Sequence, residues 1–283
     1  MAELLKGAPV AAAIGERTAA EAARLRESGV VPTLAIVRVG ERLDDISYEK
    51  GAMKRCASVG VAARSVVLPA DISQESLLGT LHELNLDKTV HGILLFRPLP
   101  PPLDNEAARR AIAPEKDVDG VTDGSLAGVF TGSGEGFPPC TAQAVTEILD
   151  FYGIPVSGRR AVVAGRSLVV GKPAAMLLMQ KGATVTICHS KTAEMPSVTR
   201  SGDILICAVG RKGFFGAEHI GRGQTVIDVG IHYNEETGKL CGDVRFDEAE
   251  PVVGAITPVP GGVGAVTTAV LVSHVTEAAL RLI

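Results

Sequence analysis

The chain has 283 residues, 46% of them hydrophobic, and its 28 Lys and Arg against 32 Asp and Glu leave a formal net charge of −4. That length can bury one large core or two smaller ones, and the lack of a basic stripe argues against a nucleic-acid partner. The five cysteines (Cys56, Cys140, Cys188, Cys207 and Cys241) are odd in number and widely spaced, with no C-x-x-C and no nearby His pair. They read as reduced, packed thiols of a cytoplasmic protein rather than as disulfides or zinc ligands.

Residues 8–14 are apolar, but Glu3 precedes them and the charged pattern of residues 16–27 continues as an amphipathic helix, so no signal peptide is expected. Apolar β-rich runs then alternate with helical patterns. Strands are expected at 33–39, 65–68 and 91–96, and helices at 45–58, 74–86 and 105–112. Residues 132–139, G-S-G-E-G-F-P-P, are rich in turn formers and mark a candidate hinge or domain boundary. A second series follows, with strands at 161–164, 184–188, 204–208 and 225–229. Residues 251–276 carry no Asp, Glu, Lys or Arg, yet Pro258, Pro260, Gly261, Gly262 and Gly264 would interrupt a membrane helix. They read as strand, glycine loop and helix, with no membrane partner.

The richest chemical signal lies at residues 161–173, A-V-V-A-G-R-S-L-V-V-G-K-P. An apolar strand breaks at Gly165, and a helix restarts at Gly171 with its first amides expected to be free for a pyrophosphate. At the end of the next strand, where an NAD site commonly places an acidic residue, stand His189, Ser190, Lys191 and Thr192. Hydroxyls and a cation suit a 2′-phosphate, which Arg166 could hold bidentately, so NADP is favoured, with Glu194 as the feature that keeps NAD open.

Four blocks in order resemble the methylenetetrahydrofolate dehydrogenase/cyclohydrolase (FolD) family: P-E-K-D-V-D-G at 114–120, G-R-S-L-V-V-G-K-P at 165–173, C-H-S-K-T at 188–192 and I-T-P-V-P-G-G-V-G at 256–264. The resemblance implies an α/β protein of two domains, an N-terminal αβα folate-binding domain and a Rossmann-type dinucleotide-binding domain. The first would take residues 1–140 plus 268–283, and the second 141–267. It implies tetrahydrofolate one-carbon derivatives as substrates, NADP as cofactor, no metal, and a homodimer. Tyr48 and Asp119 match the family's active-site tyrosine and pterin-binding carboxylate. Pro260, Gly261 and Gly262 match a loop at the substrate, while Gly165, Arg166, Ser167, Gly171, Ser190 and Ile231 match cofactor-binding positions.

Two positions depart from the family pattern. Its hydrolytic lysine lies four residues after the tyrosine, where this chain has Ala52, and its strand glutamine is replaced by Phe96. Lys50 and Lys54 project to the far side of the helix at about 100° per residue. Strand alternation would turn Arg97 away from Phe96. The expected function is NADP-dependent oxidation of 5,10-methylenetetrahydrofolate with weak or lost cyclohydrolase activity. The alternatives are a bifunctional enzyme with a substitute base and a non-catalytic folate- or nucleotide-binding protein. The histidines His82, His91, His219, His232 and His274 fit no triad order and read as surface or hydrogen-bonded core residues.

Overall fold

A computed structural model describes residues 2–235 and 238–282. In chain order the strands are β1 (Glu3–Leu4), β2 (Thr33–Val39), β3 (Ala62–Leu68), β4 (Gly92–Leu95), β5 (Arg160–Ala164), β6 (Thr184–Cys188), β7 (Ile204–Cys207), β8 (Thr225–Asp228), β9 (His232–Asn234), β10 (Lys239–Cys241) and β11 (Ala255–Ile256). The chain divides into two compact units. One joins residues up to Ala12 with Thr141–Thr267, and the other joins Ala13–Cys140 with Thr268–Ile283.

The unit containing Ala13–Cys140 is built on a three-stranded parallel sheet in the order β3-β2-β4. Central β2 is nearly all buried because its Leu34, Ala35, Ile36 and Val37 are apolar on both faces, as a covered parallel strand requires. Edge strand β3, with Arg64 and Ser65 among its residues, has no buried position. Helix Gln74–Leu86 sends Leu77, Leu81 and Leu84 into one core with Val37, Val39, Ile93 and Leu95. Ser73 caps that helix by accepting the Ser76 amide at 3.1 Å.

The other unit holds a six-stranded, wholly parallel sheet in the order β1-β11-β8-β7-β5-β6. Strand order reverses beside β5, whose neighbours are β7 and β6, and that reversal is where doubly wound sheets bind ligands. Val162, Ala164, Leu205, Cys207, Val226 and Ile256 fill its core.

The N-terminal boundary differs from the expected one, since residues before Ala13 group with the six-stranded sheet. Apolar Leu4 and Leu5 are drawn there by backbone pairing: Glu3 and Leu5 donate to Gly254 and Ile256, and the Gly7 amide donates to Gly261 at 2.8 Å. Met1 and Ile283, the outer limits of the expected folate domain, lie outside the described residues. Helix Val263–Arg281 is long and apolar enough to cross a membrane by length and composition, yet 61% of that apolar stretch is buried. Its start at Val263 follows the glycine loop as expected, and it carries two buried polar residues, His274 and Thr276. His274 Nδ1 lies 2.8 Å from the Val118 carbonyl, and the Thr276 hydroxyl donates to the Ser273 carbonyl. The five cysteines are all free, four of them buried. Among the described residues no group of His, Cys, Asp or Glu forms a metal site.

Candidate functional site

In the three-stranded unit, helix Leu43–Ser58 buries Glu49, Ala52 and Cys56 along one face. The Glu49 carboxylate is held by Arg38 Nε at 2.7 Å and by the Ser65 hydroxyl. Tyr48 stands beside that face, 45% exposed, its ring edge-on to Phe96 at 5.5 Å between centroids. Ala52 and Phe96 are 1% and 8% exposed, so both are packed apolar positions. Lys50 and Lys54 are exposed.

Asp119 leaves the segment after the 3₁₀ turn Pro114–Lys116. Its neighbour Asp117 is wholly buried and braces the turn by accepting the Val121 and Thr122 amides at 3.0 and 2.7 Å. Burial and the Asp117 carboxylate push Asp119 up to about 6, while Arg97 and a hydrogen bond with Cys140 act in the opposite sense. Burial likewise pushes Tyr48 up to about 12, against a hydrogen bond to Thr268 and with Asp119 adding to the rise. The Arg97 charge thus favours the ionised Asp119 carboxyl. Residue 97 lies beyond β4, which ends at Leu95, so strand alternation does not set its direction.

In the six-stranded unit, Gly165 and Gly171 close the turn after β5 upon itself. Gly165 has φ +139°, and a Cβ there would sit 2.2 Å from the Ala208 carbonyl oxygen; one on Gly171 would sit 2.2 Å from the Gly165 oxygen. The amides expected to be free at the helix start are already used. Ser167 Oγ accepts from Val170 and Gly171, and the Ser167 carbonyl accepts from Lys172. Among the described residues the amides of Arg166, Ser167, Leu168 and Val169, in the turn before the helix, donate to no protein atom.

A cavity of about 240 Å³ opens at the C-terminal ends of β5, β6 and β7, with Gly165, Arg166, Ser167, His189 and Ser190 among its lining. It also takes in Met195, Ala208, Val209, Arg211 and Phe214, none of which the sequence reading singled out. No carboxylate lines it, and Glu194 is not part of it. Lys191 is also absent from the lining; its amide folds back onto His189 Nδ1 at 3.2 Å. Two guanidinia, hydroxyls, free turn amides and closely packed glycines fit a phosphorylated nucleotide.

A second cavity, of about 220 Å³, brings together Ile231, Pro260, Gly261 and Gly262 with Gly230 and Leu240. Gly261 has φ +100°, and a Cβ on Gly264 would meet Ile231 Cδ1 at 2.9 Å. Pro260, Gly261 and Gly262 thus share a unit with the cofactor-side positions, whereas Tyr48 and Asp119 lie in the other unit.

Two family models cover most of the chain: the catalytic domain of tetrahydrofolate dehydrogenase/cyclohydrolase matches residues 5–119, and its NAD(P)-binding domain matches 139–282. The chain belongs to the tetrahydrofolate dehydrogenase/cyclohydrolase family. It is 53% identical over 279 residues to the bifunctional protein FolD of Carboxydothermus hydrogenoformans, covering 98% of this chain and 97% of that one. The crystal structure of the bifunctional FolD enzyme from Campylobacter jejuni matches with a TM-score of 0.96 at 35% identity, over 100% of both chains. That of the Trypanosoma brucei dehydrogenase-cyclohydrolase, complexed with NADP cofactor and inhibitor, matches at 0.90 with 37% identity, over 99% and 98%. The α/β fold and the nucleotide-binding unit of this tetrahydrofolate dehydrogenase/cyclohydrolase relative agree with what its motifs led one to expect.

Proposed function

We propose that this chain oxidises 5,10-methylenetetrahydrofolate to the 5,10-methenyl form with NADP, and that its cyclohydrolase activity is weak or lost. The observation that carries the second half is the packed apolar pair, Ala52 and Phe96, at the positions where the family's lysine and glutamine stand.

NADP supplies the hydride acceptor, the C4 carbon of its nicotinamide. Arg166, Ser167 and Ser190 hold the cofactor's phosphates and ribose, with the free Arg166 and Ser167 amides as further donors. Asp119 accepts two hydrogen bonds from the amino and amide groups of the pterin. The Tyr48 ring packs on the folate, and its hydroxyl, pushed far above neutrality, keeps its proton. The Pro260–Gly262 loop and Ile231 admit close approach of backbone to ligand. Hydride transfer requires positioning and exclusion of water but no side chain to take a proton, so it survives the loss of a base at position 52. Hydrolysis does require one, because water must lose a proton as it attacks and a ring nitrogen must gain one. A guanidinium stays protonated, so Arg97 cannot serve as that base.

The names of the relatives favour a second reading, a bifunctional enzyme with a substitute base. One assay separates them. Protein, methylenetetrahydrofolate and NADP are mixed, and NADPH and methenyl absorbance are followed. The proposal expects NADPH to form while methenyl product decays at its spontaneous rate. Enzyme-accelerated methenyl loss would overturn the hydrolytic part, and no NADPH formation would overturn the dehydrogenase itself.

A further inference from the structure

The cavity beyond β5, β6 and β7 contains a cation that no motif announces. Arg211 lies four residues past the end of β7 and lines the same cavity as Arg166 and Ser190. Its place there is built. The buried Asp243 carboxylate accepts the amides of Val209, Gly210 and Arg211 at 2.7, 3.0 and 2.9 Å, which clamps the loop against the sheet. The guanidinium carbon sits 5.0 Å from the centroid of Phe214, a ring itself packed on Phe215 at 4.9 Å.

An arginine held over an aromatic face keeps its planar N–H edge aimed in one direction. Among the described residues the Arg211 guanidinium makes no hydrogen bond or ion pair with the protein, and neither does that of Arg166. Other arginines of the chain show the alternative. Arg109 is engaged by Glu106 and Asp123, both at 2.8 Å, and Arg245 by Glu218 and Glu248. Two unneutralised guanidinia at one cavity without a carboxylate create a site for a dianion. A single ribose-borne phosphate, with three terminal oxygens, can accept from both forks at once.

We propose that Arg211 is a cofactor-specificity residue, the second guanidinium of a clamp on the 2′-phosphate of the adenosine ribose, with Arg166 the first. This rests on the NADP reading above and adds to it a residue outside the nucleotide turn. The clamp draws one arginine from the β5 turn and one from the β7 loop, so it closes only where sheet order sets β5 beside β7.

The test is calorimetric titration of the full chain with two probes, adenosine 2′,5′-bisphosphate and AMP, with no turnover involved. The intact chain should prefer the bisphosphate by tenfold or more. Arg211→Ala should cut that preference at least fivefold while shifting AMP affinity less than threefold, and Arg211→Lys should restore part of it. Circular dichroism of each variant checks the fold, and Phe214→Leu should lower the preference by freeing the guanidinium. If the intact chain prefers the bisphosphate and Arg211→Ala retains the full preference, Arg211 has no part in the clamp, while the NADP reading stands. If the intact chain shows no preference, the NADP reading falls and this inference with it.

Discussion

Asp119 is raised to about 6 by burial and by Asp117, so the folded chain holds a proton there that the unfolded chain, with an ordinary value of 3.8, has released. Its folded state therefore binds more protons between those values. Stability from this group is present at low pH, falls as pH rises from about 4 through about 6, and is gone above. In the pterin-binding role proposed for Asp119 the carboxylate must be ionised, so affinity is expected to move the opposite way and strengthen as pH rises through about 6. Asp119→Asn should raise the unfolding free energy at pH 8 by up to ~3 kcal/mol in urea denaturation, and should abolish measurable folate binding by fluorescence titration. Ala52 presents a second residue-scale case. The double variant Ala52→Lys/Phe96→Gln exchanges the Phe96 ring for a smaller amide beside Tyr48 and places an amine in the packed Ala52 position as a proton acceptor. It is expected to accelerate methenyl hydrolysis at least tenfold, read as loss of methenyl absorbance; a variant that binds folate and hydrolyses no faster would refute the account of what those positions lost. Both departures were legible only through the resemblance to the family pattern, and the helix period then places position 52 on Tyr48's side. The action of Arg97 on Asp119 was not, since it depends on where β4 ends.

Two loops at the ends of strands are tied by a pair of buried carboxylates. Asp228 accepts the amides of Gly230, Asp243 and Val244 at 2.9, 3.0 and 2.9 Å, and Asp243 in turn holds the Val209–Arg211 amides and His232 Nε2 at 2.7 Å. The fit leaves no room for side chains at the adjoining glycines. A Cβ on Gly242 would lie 1.9 Å from Asp228 Oδ2, and one on Gly230 would lie 2.4 Å from Asp243 Oδ1. Asp243→Ala would leave three amides without their acceptor, at ~1–3 kcal/mol for each buried group left unpaired. It should lower stability in urea by about 3 kcal/mol or more and weaken bisphosphate binding beyond what Arg211→Ala does. An Asp243→Ala chain with unchanged stability would contradict the tie. Nothing in the local sequence around Asp243 signals this role, because the three loop amides it holds lie more than thirty residues earlier in the chain. By contrast, the strands β2 and β6 and the helix Gln74–Leu86 were read to the residue. Their apolar periods and their caps are local properties, which is why a linear reading finds them.

For the whole chain, the composition agrees with five unpaired thiols, and all five cysteines are free. The thermal midpoint should accordingly be the same with and without a thiol reductant, measured by calorimetry; a reductant-dependent shift would show a bridge where none is expected. The sequence by itself determined the family, the alternation of strand and helix and the nucleotide turn, since motif spacing and hydrophobic period are written along one dimension. It could not determine that residues before Ala13 join the six-stranded sheet, because Leu4 and Leu5 satisfy their backbone groups on strand β11, some 250 residues away. Nor could it show that Ser167 consumes the helix-start amides, or that Arg211 joins Arg166 at one cavity. Those facts depend on which strands become neighbours. Neighbour relations are set by the packing of distant apolar surfaces and by backbone groups finding partners, and only the tertiary structure decides them.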